Sequence, residues 1–139
     1  MLSIIKQAAI NFCEHQIRQN YEILSTVPKM RMLIASIEIT KNESVHLVYV
    51  AISHRLLQEL CEIFLFENQS DEQTLQDMLL ETTNMIVGSA KVIAQENNCD
   101  EVFSIATPNF VDTKEFDFTV DKYVTLFINQ ENLLIAIKE

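Results

Sequence analysis

The stretch DMLLETTNMIVGSAK, from Asp77 to Lys91, gathers the residues of this sequence best able to do chemistry. Glu81 supplies a carboxylate, Asn84 an amide three residues later, and Gly88, the only glycine in the chain, follows one helical turn beyond. A helix turns about 100° per residue, so Asp77, Glu81, Asn84, Gly88, Lys91 and Gln95 fall within roughly 40° of one direction. Leu75, Leu79, Thr82, Ile86, Ser89 and Ile93 cluster on the opposite side. Many amphipathic helices carry an ordinary solvated strip of this kind, and side chains three apart on it are neighbours. Two details set this strip apart. Asparagine is a poor helix former that belongs at caps, yet Asn84 sits deep in the pattern. Glycine in a helix interior costs about 1 kcal/mol relative to alanine, and here it removes bulk beside the amide. A carboxylate, an amide and a gap on one face suit docking against another surface.

Other reactive side chains are scattered. His15, His46 and His54 fall in three different elements and lack local metal-ligand spacing. Cys13, Cys61 and Cys99 are odd in number, widely spaced and without a CxxC pair, which reads as reduced, mostly buried thiols in a cytoplasmic protein.

The elements that must position the strip follow from periodicity. Ser70 with Gln73 three residues on matches a capping box, opening a long helix that runs to about Asn97, with Asn97 and Asn98 as C-terminal cap residues. Before it, HRLLQELCEIFLFEN carries a helical stripe, with Ser53 as its cap. Ile5, Ala8 or Ala9, Phe12 and Ile17 suggest a first helix from Leu2 to about Glu22, followed by an irregular linker around Ser25 to Pro28. RMLIASIEIT and VHLVYVAI, joined by the turn KNES, read as a hairpin. EVFSIATP reads as a short strand or extended segment ended by Pro108. The polar stretch DTKEFD precedes a closing hairpin of KYVTLFI and LLIAIKE around NQEN. Strands and helices come in blocks, so an α+β domain with an antiparallel sheet is favoured over a doubly wound one. Residues 1–139 are expected to form a single domain.

Composition narrows the partners. With 48% hydrophobic residues the chain can bury a sizeable core. Ten basic against twenty acidic residues give a formal charge of -10, which argues against nucleic acid or an anionic membrane surface. The N-terminal MLSIIKQAAINFC lacks the form of a signal peptide, and no stretch is expected to insert in a bilayer.

Glu81-Thr-Thr-Asn84, preceded by Asp77 and followed at a distance by Pro108, resembles the signature of the CheC, CheX and FliY family of chemotaxis phosphatases. The continuation NMIVGSAK and the order of elements along nearly the whole chain are also similar to this family. The stretch from Asn84 to Pro108 is one residue longer than the family spacing, which a single insertion around Asn97 to Asp100 would explain. Where a second site would fall on the first helix, the residue three beyond Glu14 is Ile17 and not an asparagine. The sequence thus resembles the single-site, CheX-like branch.

The resemblance implies a CheC-like fold and dephosphorylation of the aspartyl-phosphate on a CheY-like response regulator. It implies that Asn84 orients the attacking water and that Glu81 pairs with a lysine of the receiver. Asp77, Gly88 and Lys91 would lie at the partner surface. No cofactor is implied for this chain itself, Mg2+ being held in the receiver's own active site, and a homodimer formed through the sheets is expected. An amide suits the assigned task, because it donates to and accepts from water without titrating near neutral pH. Two other readings remain: a non-catalytic module of the same fold that binds a receiver or a flagellar switch component, and a purely structural domain whose polar strip is solvated.

Overall fold

Two hairpins organise the molecule, and neither uses glycine. In the computed structural model, which describes residues 1–97 and 103–139, β2 (Arg31–Lys41) and β3 (Ser44–Ser53) pair along their whole length. β6 (Lys122–Ile128) and β7 (Glu131–Lys138) do the same. Each hairpin turns through two residues with positive φ, Asn42 at 49° with Glu43 at 74°, and Asn129 at 50° with Gln130 at 68°. Two-residue loops of this kind match the twist of the strands, and asparagine tolerates the left-handed region better than most residues.

β7 pairs with β3, joining the hairpins into an antiparallel sheet ordered β1-β6-β7-β3-β2-β4. β1 is Tyr21–Leu24 and β4 is Phe103–Ile105. β5 (Asn109–Glu115) pairs with β2 along the same edge as β4. The central strands are buried on both faces, which is why RMLIASIEIT and LLIAIKE read as nearly continuous apolar runs. Leu33, Ala35, Ile37, Ile39, Val48, Val50, Ile135 and Ile137 face the helices. Met32, Ile34, Tyr49, Ala51, Leu134 and Ala136 face the other way, under Phe116 and the partly buried Val27, Met30, Phe118 and Val120. Tyr49 stacks on Phe118 at 4.7 Å and meets Phe116 edge-on at 5.6 Å.

Three helices cover the first face: α1 (Leu2–Asn11), α2 (His54–Leu65) and α3 (Glu72–Asn97). α3 packs against α1, α2 and the sheet at β2, β4 and β5. The expected α+β architecture, an antiparallel sheet with a long helix packed among others, is the one observed.

Several local expectations are corrected. The first helix does not continue to Glu22. It ends at Asn11 and widens into a π turn, Phe12–Gln16, where the Ile17 N–H donates to the Phe12 carbonyl at 3.1 Å. The spacing held the signal: Phe12 and Ile17 are five residues apart, the step of a π turn and not of an α-helix. Arg18, at φ 54°, then reverses the chain into β1, which pairs with β6. DTKEFD contributes to a strand, β5, whose exposed edge position explains its polar letters.

The capping box at Ser70 does not form. Gln58 holds the Ser70 backbone from both sides, accepting from its N–H at 3.0 Å and donating to its carbonyl at 3.1 Å. Asp71 caps α3 instead, accepting from the Thr74 N–H at 2.8 Å. Ser53 does occupy the cap position of α2, but its hydroxyl accepts from the Asn132 N–H at 3.3 Å and not from its own helix. Asn98, Cys99 and the start of EVFSIATP lie outside the described residues.

Candidate functional site

α3 owes its orientation to a buried arc of Leu75, Met78, Leu79, Thr82, Thr83, Ile86, Val87, Ala90 and Ala94. Each buried leucine or isoleucine contributes about 1.5–3 kcal/mol, so the rotation of the helix about its axis is firmly set. The arc is wider than the stripe read from the sequence, taking in Thr83, Val87, Ala90 and Ala94, while Ser89 and Ile93 are only half-buried. Within Glu81-Thr-Thr-Asn84 the two threonines turn inward and the outer pair turn to solvent. The Thr83 hydroxyl donates to the Leu79 carbonyl at 2.8 Å. Among the described residues the buried Thr82 hydroxyl has no hydrogen-bond partner.

The structure places Asp77, Glu81 and Asn84 on the exposed face, with Gly88 and Lys91 half-buried along the same strip. Asp77 accepts a hydrogen bond from the Gln73 amide at 3.0 Å, one turn earlier. Among the described residues the side chains of Glu81 and Asn84 have no hydrogen-bond or ion-pair partner, and both point from a helix whose backbone is fixed. Gly88 has no positive φ, and a Cβ built on it meets no atom within 4 Å. Neither backbone conformation nor internal packing calls for glycine here. What this face offers is one free carboxylate, one free amide and open space beside them. It can bind a cation through Glu81, orient a small polar molecule through Asn84, and accept a surface that approaches closely at Gly88.

Sequence periodicity missed two apolar neighbours of the strip. Val92 is 52% exposed one turn beyond Gly88, and half-buried Met85 follows Glu81 by one turn. An exposed valine on an otherwise polar face was the available signal. Pro108 is buried between β4 and β5, in a segment tied to β2 by the Ala106 N–H donating to the Glu38 carbonyl at 3.0 Å.

The remaining reactive residues gather nowhere. Among the described residues no group of three or more His, Cys, Asp or Glu side chains is placed to hold a metal ion. Cys13 and Cys61 are buried free thiols; burial, with the Glu14 carboxylate second, pushes the Cys13 thiol up to about 12, and burial raises Cys61 as well. Neither is an activated nucleophile. On the π turn, Ile17 is buried and Glu14 accepts from the Tyr21 hydroxyl at 3.1 Å, so no second free carboxylate and amide pair arises there. No helix among the described residues is long and apolar enough to cross a membrane.

Comparison with known proteins identifies the family and the fold. The family model described as Chemotaxis phosphatase CheX matches residues 33–129. The solved structure of the chemotaxis protein CheX from Vibrio vulnificus superposes with a TM-score of 0.82 at 19% identity, over 98% of this chain and 93% of that one. A chemotactic CheC-like protein from Shewanella oneidensis gives 0.78 at 15% identity, over 98% and 95%. The CheX-CheY-BeF3-Mg complex from Borrelia burgdorferi gives 0.72 at 14% identity, over 99% and 97%. At such identities these superpositions speak for the fold. No curated protein sequence matches the chain. The family match spans well over half of the 139 residues and includes the whole Glu81–Gly88 segment, and the chain belongs to the CheX family of chemotaxis phosphatases.

Proposed function

We propose that this protein hydrolyses the aspartyl-phosphate of a CheY-like receiver domain, with the outward face of α3 as the docking and catalytic surface. The observation that carries the reading is the pairing of two unpartnered side chains, Glu81 and Asn84, with the unfilled space at Gly88 on one fixed helix face. In this mechanism α3 lies across the mouth of the receiver's phosphorylation site. Glu81 forms an ion pair with a receiver lysine and sets the register. The Asn84 amide reaches a water and holds it opposite the bond to be broken. The water oxygen bonds to phosphorus as the bond from phosphorus to the aspartate oxygen breaks, giving inorganic phosphate and a free aspartate. Phosphoryl transfer asks the added residue mainly for positioning, which an amide supplies without titrating.

Mg2+ belongs to the receiver in this scheme, and the chain itself needs no cofactor. Asp77 and Lys91 flank the contact, and Gly88 lets the receiver backbone approach. The family's association with CheY, seen in the Borrelia burgdorferi complex, supports the choice of partner. The protein acts in the cytoplasm as a homodimer joined through its sheets, leaving α3 free; sedimentation at micromolar concentration checks the dimer.

The experiment is dephosphorylation of receivers from the same genome, loaded with acetyl phosphate. The wild-type protein should release phosphate faster than the receiver alone. Asn84→Ala should bind and not accelerate, whereas Glu81→Ala should bind poorly. Docking without acceleration by the wild type would favour a non-catalytic module binding a receiver or flagellar switch component. Full activity in both variants would overturn the site.

A further inference from the structure

A receiver docked on the α3 strip cannot be held by that strip alone. Protein interfaces bury about 800 Å² per partner, with transient ones somewhat less, far more than a handful of side chains on one helix can cover. The contact must spread over a flank of α3, and the flank on the Met85 side is hollow. Between α1, the π turn and α3 lies a cleft of about 300 Å³ lined by Ala8, Asn11, Phe12, His15, Gln16, Met85 and Ser89. Met85 is one turn past Glu81 and about 40° further round the helix. Ser89 is the chain neighbour of Gly88. The exposed Val92 continues the same edge. No separate approach is needed to reach the cleft from the docking face.

Resting on the docking reading above, we propose that the receiver inserts an apolar side chain into this cleft, and that the cleft selects which receiver is accepted. Its chemistry is that of a side-chain socket. Ala8, Phe12 and Met85 form an apolar floor, and Asn11, His15, Gln16 and Ser89 supply polar groups at the rim for backbone contacts. Methionine adapts its shape to different apolar guests, which suits a socket that ranks partners. The π turn sets one end of the socket, and such turns in helices occur frequently at functional sites.

The test is a steady-state comparison on the same panel of phosphorylated receivers. Ser89→Phe, which fills the cleft from α3, should raise KM for the preferred receiver by about tenfold or more with kcat at saturation kept. Its affinity for the same receiver activated with beryllium fluoride and Mg2+ should fall in parallel. Asn84→Ala should show the reverse split. His15→Ala and Gln16→Ala, at the rim of the socket, should reorder the preference among receivers. Should Ser89→Phe fail to fold, Met85→Ala takes its place and should raise KM severalfold. Folded cleft variants with wild-type kcat/KM on every receiver would overturn the socket and leave the proposed function standing. A wild-type protein inactive on all receivers would overturn the proposed function and this inference with it.

Discussion

Replacing Gly88 by alanine should make the protein more stable and a poorer phosphatase. Gly88 lies within α3, which runs from Glu72 to Asn97, it has no positive φ, and an added Cβ would meet nothing within 4 Å. The substitution therefore introduces no clash and no backbone strain. It removes the conformational freedom that glycine brings to the unfolded chain, a gain of about 0.5–1 kcal/mol. For a chain of this size that raises the thermal midpoint by about 3 °C. The same methyl group projects into the clearance beside Asn84. Overpacking at a close contact costs about 1–3 kcal/mol, or a loss of about fivefold to a hundredfold in kcat/KM. Gly88→Leu should abolish turnover while the helix stays folded. The readouts are a thermal melt and phosphate release from a phosphorylated receiver. A stabilised Gly88→Ala variant with full activity would refute the clearance argument. A destabilised one would mean the space at Gly88 is needed by the fold.

Three further outcomes follow from the supports of the site. Hydrogen bonds from the Thr74 side chain and backbone N–H hold the Asp71 carboxyl below the usual carboxylate range. A depressed folded pKa contributes stability above the unfolded value, so the gap in melting temperature between wild type and Asp71→Ala should be full at neutral pH. It should close as pH falls through the folded Asp71 pKa. Thr82→Val keeps the shape of a buried residue and removes an unpartnered hydroxyl, so it should raise stability by about 1 kcal/mol, whereas Thr83→Val, which loses the bond to Leu79, should not. Cys13 and Cys61 should resist a thiol reagent at neutral pH until denaturant opens the core, because both are buried and their thiols are raised.

What could be read from the letters depended on how local the cause was. α3 and the two hairpins announce themselves because a 3.6-residue apolar period and paired apolar runs around asparagine turns are properties of short segments. β1 and β5 do not, because an edge strand such as Asn109–Glu115 is half solvated and its pairing partner lies some eighty residues away. The choice of Asp71 over Ser70 as cap was invisible for the same reason: Gln58, on another helix, claims the Ser70 backbone. At the candidate site, the outward direction of Glu81, Asn84 and Gly88 was legible from the helix wheel alone. The cleft beside them was not, since it exists only once α1 and its π turn pack against α3.

The outer face of α3 is idle as far as folding is concerned. Glu81 and Asn84 have no partners among the described residues, and nothing packs against Gly88 where a side chain would stand. Selection for a stable protein therefore has no use for any of the three, and would trade the glycine away. Under the function proposed above, selection on the docked complex holds them. A descendant that lost one of them would fold and superpose on its relatives as well as before, and its silence in signalling would leave no trace in its shape. On the proposed mechanism, activity in this protein is inherited through a few exposed letters, and architecture is inherited separately.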